Sequence, residues 1–247
     1  MIQLDTSGNM SYDNIVSRRI QPIITNQIYH VFNRSVAGQP FFYSIKDYQR
    51  FLCVVDYYRF LLPDLRFSFY NRLGIKEKEN YLLNMKKTKS VQVQIFAYCF
   101  MPNHYHFLIK ELEANGIRTC TGNLQNSYAK YFNKKNKRSG SLFQEMFKTV
   151  RIENDEQFVH LARYIHLNPL TSYLIKHMED LEAYPYSSFP VYMGRTNNDF
   201  VDTTMLLGYY QSRDELKTFT LDQADYQRKI HDLEYLLIEK DENYGGV

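Results

Sequence analysis

The pattern of hydrophobic and polar positions predicts a strand and then a helix in the first quarter of the chain. Residues 27–35, QIYHVFNRS, are rich in β-branched and aromatic residues and end in turn-forming residues, which indicates a strand. Ser44 then stands where a helix N-cap is expected, and apolar residues recur at helical spacing as far as Leu62, just before Pro63. Residues 64–90 are mixed and charged, and we predict a surface excursion there with room for a short helix.

A hairpin is predicted next. Residues 91–100, VQVQIFAYCF, alternate and then become continuously apolar, as in a strand that enters the middle of a sheet. The MPN sequence at 101–103 is typical of a turn, and residues 104–112, HYHFLIKEL, form the returning strand.

The second half of the main domain repeats the order of helix and strand. A helix is predicted around residues 122–133, followed by a basic loop that ends at Gly140. Residues 141–152, SLFQEMFKTVRI, are a fourth strand candidate. The order is therefore β-α-β-β-α-β, which is that of the split βαβ arrangement.

One more helix is predicted after this unit. Asn154 and Asp155 are caps for a helix that runs to about Leu167, and Pro169 ends it because proline disfavours helical geometry in the preceding residue. The predicted fold class is α+β, with a ferredoxin-like antiparallel sheet, helices on one face and a mostly helical C-terminal extension. We divide the chain into a polar leader at 1–24, a main domain at 25–180 and the extension at 181–247.

Composition adds limits on location and redox chemistry. The 247 residues are 44% hydrophobic, which suffices for a sizeable core. The three cysteines fit neither a disulfide framework nor a CxxC metal site. No stretch is apolar enough for a signal peptide or a membrane span, so we expect a soluble, cytoplasmic protein without a membrane partner.

Two histidines share one face of the returning strand. His104 and His106 are two residues apart and point the same way, while Tyr105 faces the other side. Two neutral imidazoles at this spacing can hold one divalent metal. A cross-strand hydrogen bond, or a partly exposed sheet edge, explains the pair equally well at this point.

The segment RYIHLNP, residues 163–169, supplies further chemistry. Tyr164 and Asn168 are four residues apart on a predicted helix and therefore lie on one face. An amide oxygen is a suitable ligand for a hard cation such as Mg²⁺ or Mn²⁺, and a phenol beside it is an oxygen nucleophile. The alternative is structural, with Tyr164 packed and Asn168 capping the helix end.

Four motifs together resemble the HUH single-strand DNA transposases with one catalytic tyrosine, in particular their REP-associated tyrosine transposase branch. The motifs are MPNHYHFLIK, SYAKYFNKKNKRSGSLFQ, RYIHLNPL and YPYSSF, and they span roughly residues 25–195. The resemblance implies that His104, His106 and Asn168 hold Mg²⁺ or Mn²⁺. It also implies that Tyr164 attacks a DNA phosphate and forms a 5′-phosphotyrosine link, with no nucleotide cofactor. Single-stranded or hairpin DNA is the expected partner, and relatives act as monomers or homodimers.

The remaining histidines receive structural roles. His166 is two residues from Asn168 on a helix and should not share its face, so we interpret it as structural. His160 lies one turn before Tyr164 and has the spacing needed to orient the phenol or to bind phosphate. His30, in the first predicted strand, is interpreted as a sheet residue rather than a ligand.

Basic residues are concentrated although the net charge is only +3. Between Tyr128 and Arg151, Glu145 is the single acid. The predicted DNA-binding residues of this region are Lys130, Lys134, Lys135, Lys137, Arg138 and Lys148. The interleaved aromatic residues either stack on bases or pack inward, and we favour inward packing with the basic side chains on phosphates. Arg18, Arg19 and Arg34 are candidates to extend the same track.

Two other functions compete with strand transfer. The first is a non-catalytic nucleic-acid-binding protein, since the split βαβ arrangement also suits RNA-binding domains, although the glycine-aromatic pattern of those domains is absent. The second is a metallohydrolase that activates a water. It is disfavoured because no acidic ligands accompany the histidine pair.

Overall fold

The computed structural model describes residues 22–144, 146–222 and 224, together with the backbone of residues 3–4 and 10–11. Most of the predicted leader, with Arg18 and Arg19, lies outside the described residues, as do Glu145 and residues 225–247. The strands are β1 (Gln3–Leu4), β2 (Met10–Ser11), β3 (Ile28–Arg34), β4 (Val93–Met101), β5 (His104–Glu111) and β6 (Lys148–Ile152). The helices are α1 (Ile45–Tyr58), α2 (Phe67–Tyr70), α3 (Ile75–Thr88), α4 (Gly116–Lys135), α5 (Asp155–Thr171), α6 (Phe189–Tyr192), α7 (Thr204–Leu207) and α8 (Arg213–Leu221). Short 3₁₀ segments cover Val36–Gly38 and Met178–Ala183.

The main sheet has four strands in the order β4-β5-β3-β6. Strand β3 runs antiparallel to both β5 and β6. The first strand of the sheet therefore lies between the third and the fourth, which is the arrangement of a split βαβ fold. The predicted α+β class with a ferredoxin-like antiparallel sheet is confirmed. Strands β1 and β2 form a separate two-stranded antiparallel sheet.

The described residues fall into two compact units. The first consists of the chain up to Ile95 together with Pro102–Glu153, and the second of Phe96–Met101 together with the chain from Asn154 onward. The domain boundaries predicted from the sequence, after residues 24 and 180, divide the chain into consecutive segments, and they stay a prediction.

In the first unit, helices α1 and α4 pack on one face of the sheet. The ring of Phe51 in α1 lies 5.5 Å from that of Tyr105 in β5, measured between centroids. Gln125 in α4 donates a hydrogen bond of 2.8 Å to the Tyr105 hydroxyl. Because side chains alternate along a strand, His104 and His106 project from the opposite face. Helices α1 and α4 therefore cover the face of the sheet that carries Tyr105, and not the face that carries the two histidines.

In the second unit, the YPYSSF motif follows the backbone of β4. The amide of Phe100 donates to the Tyr186 carbonyl at 2.9 Å, and the amide of Ser188 donates to the Tyr98 carbonyl at 3.0 Å. These bonds satisfy backbone groups that an edge strand would otherwise expose. A neighbouring apolar cluster is built from Leu167, Leu170, Leu181, Phe189 and Ala224. The motif is therefore structural at least in part.

The charged segment at 64–90 is more regular than predicted. It holds the short helix α2 and the 14-residue helix α3, and Phe67, Tyr70 and Met85 are buried. Met85 is the only buried residue of α3, so the amphipathic pattern of this helix is weak in the sequence. Helix α1 ends at Tyr58 instead of Leu62, and Leu62 adopts a left-handed conformation with φ of 47°.

The prediction that Pro169 ends the last long helix near Leu167 is wrong. Helix α5 passes through Pro169 and ends at Thr171. A proline in the final turn removes a single intrahelical donor, and the chain leaves the helix before further bonds are lost. Both the amide and the hydroxyl of Ser172 donate to the Asn168 carbonyl, at 3.1 and 2.8 Å. The helix start agrees with the prediction, since the Asn154 side chain accepts from the Gln157 amide at 2.8 Å.

Candidate metal and nucleophile site

His104 stands directly after the β4–β5 turn and is held by its neighbour. The side-chain Nδ2 of Asn103 donates to the Gly38 carbonyl at 3.0 Å, which fixes the orientation of the amide. The Oδ1 of Asn103 then lies 2.7 Å from Nδ1 of His104. An amide oxygen only accepts, so the neutral His104 ring carries its hydrogen on Nδ1 and a lone pair on Nε2.

His106 is joined to a histidine of the adjacent strand. Its Nδ1 lies 2.9 Å from Nε2 of His30, and the two rings are 18° from parallel. Burial lowers the pKa of His30 to about 3 and also places the pKa of His106 well below its ordinary value. Both rings are therefore neutral at pH 7, which is the form in which imidazole binds metals.

His104 and His106 are themselves adjacent. Their ring centroids are 5.1 Å apart and the planes are nearly perpendicular, at 88°. The cross-strand hydrogen bond considered from the sequence exists, but it uses Nδ1 of His106 and not Nε2. The hydrogen bond and a metal-binding role are therefore compatible.

The strand register extends this face with basic and aromatic side chains. Phe32 pairs with His106 on one side and with Lys148 on the other, and Arg34 pairs with His104. Side chains of paired residues lie on the same face of an antiparallel sheet. Lys148 is exposed, so a cation stands two strands from His106 on the histidine face.

Tyr164 and Asn168 lie in the second unit, on one face of α5. Tyr164 is partly exposed and Asn168 is buried. Nδ2 of Asn168 donates to the backbone carbonyl of Tyr164 at 3.0 Å. This bond uses one hydrogen of the Asn168 amide nitrogen and does not involve its oxygen, Oδ1.

The two histidines of α5, His160 and His166, have hydrogen-bond partners within the second unit. His166 is fully buried, and its Nε2 lies 2.9 Å from the Ser188 hydroxyl. Burial lowers the pKa of His166 to about 3, so this ring is neutral and its contacts are structural, in agreement with the interpretation from the sequence. His160 lies 2.6 Å from the Arg163 guanidinium through Nδ1, and that guanidinium also stacks on Phe219 at 4.4 Å.

Among the described residues, no group of three or more His, Cys, Asp or Glu side chains is placed to hold a metal. Neutral histidine nitrogens and amide oxygens are both atoms that bind divalent cations such as Mg²⁺ or Mn²⁺. The first unit supplies such nitrogens in His104 and His106, and the second unit supplies such an oxygen in Asn168.

The basic region divides into exposed residues and residues with internal partners. Lys130, Lys134 and Lys137 are exposed at the end of α4 and in the loop that follows. The Arg138 guanidinium lies 5.7 Å from the ring centroid of Phe132 and donates to the Ser141 carbonyl at 3.0 Å. The rings of Tyr128 and Phe132 are buried. The inward packing that we favoured for these aromatic residues is observed.

Lys135 is bonded within the fold. Its ammonium lies 2.6 Å from a carboxylate oxygen of Asp47, whose side chain is fully buried in α1. The same carboxylate accepts from the hydroxyls of Tyr131 and Ser44, at 2.8 and 2.9 Å, and from the amide of Tyr43 at 3.1 Å. Lys135 thus joins α4 to the start of α1, in addition to any contact with DNA.

Removal of the Asp47 carboxylate is expected to destabilise the protein. Asp47→Ala leaves a cation and three donors without their acceptor, and we expect the free energy of unfolding to fall by about 3 kcal/mol. Lys134→Ala is the matched control at an exposed lysine, with a change within about 0.5 kcal/mol. Urea unfolding followed by circular dichroism measures both. An Asp47→Ala variant as stable as the wild type would contradict the structural role.

The same carboxylate gives the stability a defined pH dependence. Burial alone would raise the pKa of Asp47, but bonds from Lys135, Tyr131, Ser44 and Tyr43 outweigh it and lower the pKa below the ordinary value of 3.8. A lowered pKa in the folded state means that the stabilisation is complete above this value and is lost as the pH falls below it. The stability difference between wild type and Asp47→Ala should therefore shrink below about pH 4.

Two residues beside the histidine pair were not recognised as its partners in the sequence. Asn103 was interpreted only as a turn residue, and His30 only as a sheet residue. The strand order of the split βαβ fold places β3 beside β5, and this adjacency was the available indication that His30 could reach His106.

Comparison with known proteins finds similarity to transposases over part of the chain. Residues 61–168 match the family model described as IS200-like transposase. A solved structure of a REP-associated tyrosine transposase bound to a REP hairpin is similar to the chain with 16% sequence identity and a TM-score of 0.46, covering 76% of this chain and 94% of the other. No protein of curated function matches the chain. None of the helices in the described ranges has both the length and the apolar character needed to cross a membrane.

Proposed function

We propose that the chain is an HUH tyrosine transposase similar to the IS200-like family, whose model matches residues 61–168, and that it acts as a metal-dependent single-strand DNA endonuclease and strand transferase. The substrate is single-stranded DNA that carries a hairpin near the cleavage position. Tyr164 is the nucleophile, and His104, His106 and Asn168 are the ligands of one Mg²⁺ or Mn²⁺.

Tyr164 performs the covalent step. The phenol loses its proton and its oxygen forms a bond to the scissile phosphorus, while the bond from phosphorus to the 3′ oxygen breaks and the departing oxygen takes up a proton. The products are a 5′-phosphotyrosine on the downstream DNA and a free 3′-hydroxyl upstream. Attack by a 3′-hydroxyl on the phosphotyrosine reverses these bond changes and joins two strands without a nucleotide cofactor.

The histidines and Asn168 supply the site for the ion. A bound divalent ion polarises the phosphate and stabilises the charge that develops on it. The observation that carries this assignment is that both histidines are hydrogen-bonded through Nδ1, so we assign Nε2 of each ring to the ion. Asn168 contributes Oδ1, since its Nδ2 is bonded to the Tyr164 carbonyl.

The basic residues contact the DNA backbone. Lys130, Lys134 and Lys137 are exposed on one part of α4 and its loop, and Lys148 lies on the histidine face of the sheet. Lysines at such positions bind phosphates with little dependence on base sequence. Lys135 and Arg138 contribute to this surface with part of their hydrogen-bonding capacity already used inside the protein.

The position of a label on the DNA tests the proposed chemistry. A pool of hairpin oligonucleotides with randomised single-stranded flanks is incubated with the full-length protein and Mn²⁺, and the products are separated under denaturing conditions. We expect a 3′ label to migrate with the protein, and a 5′ label to appear on a shorter fragment that terminal transferase can extend. The transfer of the 5′ label to the protein would contradict the proposed polarity.

The two competing functions give different products in this assay. Binding of the hairpin without cleavage or adduct would identify a non-catalytic nucleic-acid-binding protein. Cleavage without an adduct would indicate attack by a water, as in a metallohydrolase. Either result would refute the proposed strand transfer.

A further inference from the structure

His30 is a buried residue that lies next to the histidine pair. The residue is 1% exposed, in the strand that pairs with β5. Its Nε2 lies 2.9 Å from Nδ1 of His106, and its ring stacks on Phe32 at a centroid distance of 4.6 Å. The His30 ring packs against Phe32 and His106, which fixes its plane. The hydrogen bond determines which nitrogen of His30 faces His106.

The contact between His30 and His106 allows two arrangements of one hydrogen. When Nε2 of His30 carries it, Nδ1 of His106 accepts, and the neutral His106 ring must carry its own hydrogen on Nε2. When Nδ1 of His106 carries it, Nε2 of His30 accepts, and Nε2 of His106 has a lone pair. Only the second arrangement lets His106 bind a metal through Nε2.

His104 already shows the corresponding arrangement. The Oδ1 of Asn103 accepts from Nδ1 of His104, and the amide is fixed by its own bond to the Gly38 carbonyl. Metal-binding histidines usually donate their second ring N–H to such a partner, which fixes the tautomer and the ring orientation. Asn103 provides this for His104, and His106 needs an equivalent acceptor.

We propose that His30 is a positioning residue of the metal site, and that it accepts a hydrogen bond from Nδ1 of His106 so that Nε2 of His106 faces the ion as a lone-pair donor. The inference rests on the proposed function, because it assumes that His106 is a ligand. His30 acts through His106 and is not a third ligand, since its Nε2 is engaged by Nδ1 of His106.

Two substitutions separate hydrogen bonding from packing. His30→Phe retains an aromatic ring against Phe32 and removes the acceptor, and we expect the affinity for Mn²⁺ to fall by about 10- to 100-fold. His30→Gln places an amide oxygen near the position of Nε2, and we expect its affinity to stay within about threefold of the wild type. His166→Gln is the matched control, since it replaces another buried, hydrogen-bonded histidine. The affinity of this variant for Mn²⁺ should equal that of the wild type.

The affinity is measured on the full-length protein without DNA, by counting unbound Mn²⁺ with electron paramagnetic resonance. Equal affinities of the wild type and His30→Phe would overturn this inference and leave the proposed function intact. A loss in His30→Gln as large as that in His30→Phe would also overturn it, because a direct ligand behaves in this way. Wild-type protein that binds no Mn²⁺ would refute the proposed metal site, and the inference with it.

The tautomer can be tested without any substitution, in case His30→Phe does not fold. Nitrogen-15 chemical shifts of the imidazoles are recorded for the wild type with saturating Mg²⁺. We expect the hydrogen of His106 on Nδ1 and a coupling from it to Nε2 of His30. A hydrogen on Nε2 of His106 in the presence of the ion would overturn the proposal.

Discussion

Tyr164→Phe is expected to form no covalent adduct with hairpin DNA and to lose at least about 1,000-fold in cleavage rate. The substitution removes one oxygen from a partly exposed side chain and retains the ring, so the fold and the affinity for DNA should stay close to those of the wild type. Cleavage and adduct formation are measured on denaturing gels with 3′-labelled hairpin DNA and Mn²⁺. Fluorescence anisotropy with the same DNA measures binding.

The matched control for this variant is Tyr173→Phe. Tyr173 lies two residues after the end of helix α5 and is 53% exposed, so the residue is more exposed than Tyr164. We expect this variant to form the adduct at the wild-type rate. An adduct that persists in Tyr164→Phe and disappears in Tyr173→Phe would move the nucleophile to the second tyrosine. An adduct that persists in both variants would show that neither residue attacks the phosphate.

The fold could be predicted from the sequence where one face of an element is buried. Strands β3, β4 and β5 have alternating or continuous apolar residues, and they lie within two residues of their predicted positions. Only a short helix was allowed for where the 14-residue helix α3 lies, because Met85 is its only buried residue and the apolar period is weak. The segment 141–147 was predicted as strand from its aromatic residues, yet β6 begins only at Lys148. Phe143 and Phe147 are buried from a non-strand backbone.

The candidate site could be predicted in part, because some of its residues are close together in the sequence. His104 and His106, like Tyr164 and Asn168, are local pairs whose common face follows from the period of a strand or a helix. The contact of His30 with His106 joins residues 76 positions apart in sequence. Such a contact depends on the register between two strands, which the apolar pattern restricts to one face but does not fix along the strand. Local spacing therefore identified the proposed ligand residues, whereas their hydrogen-bond partners required the structure.

The same distinction applies to the basic region. Its concentration of lysines was visible in the sequence, but Lys134 and Lys135 are neighbours that no sequence pattern distinguishes. The structure separates them, because Lys135 reaches a buried carboxylate 88 positions earlier in the chain. A count of lysines thus overstates the charge that is available to DNA at this surface.

His104→Ala is expected to reduce cleavage by at least about 100-fold while the affinity for hairpin DNA stays within about threefold of the wild type. The substitution removes one nitrogen donor from the histidine pair. The side chain is partly exposed at the start of β5, so the loss of packing is small, and the exposed lysines that we propose bind phosphates are unchanged. His177→Ala, at an exposed histidine, is the matched control and should behave as the wild type. Cleavage, DNA affinity and thermal melting are measured on the same preparations. If His104→Ala lost binding, cleavage and thermal stability together, the histidine would be structural, and the metal site would have to be assigned to other residues.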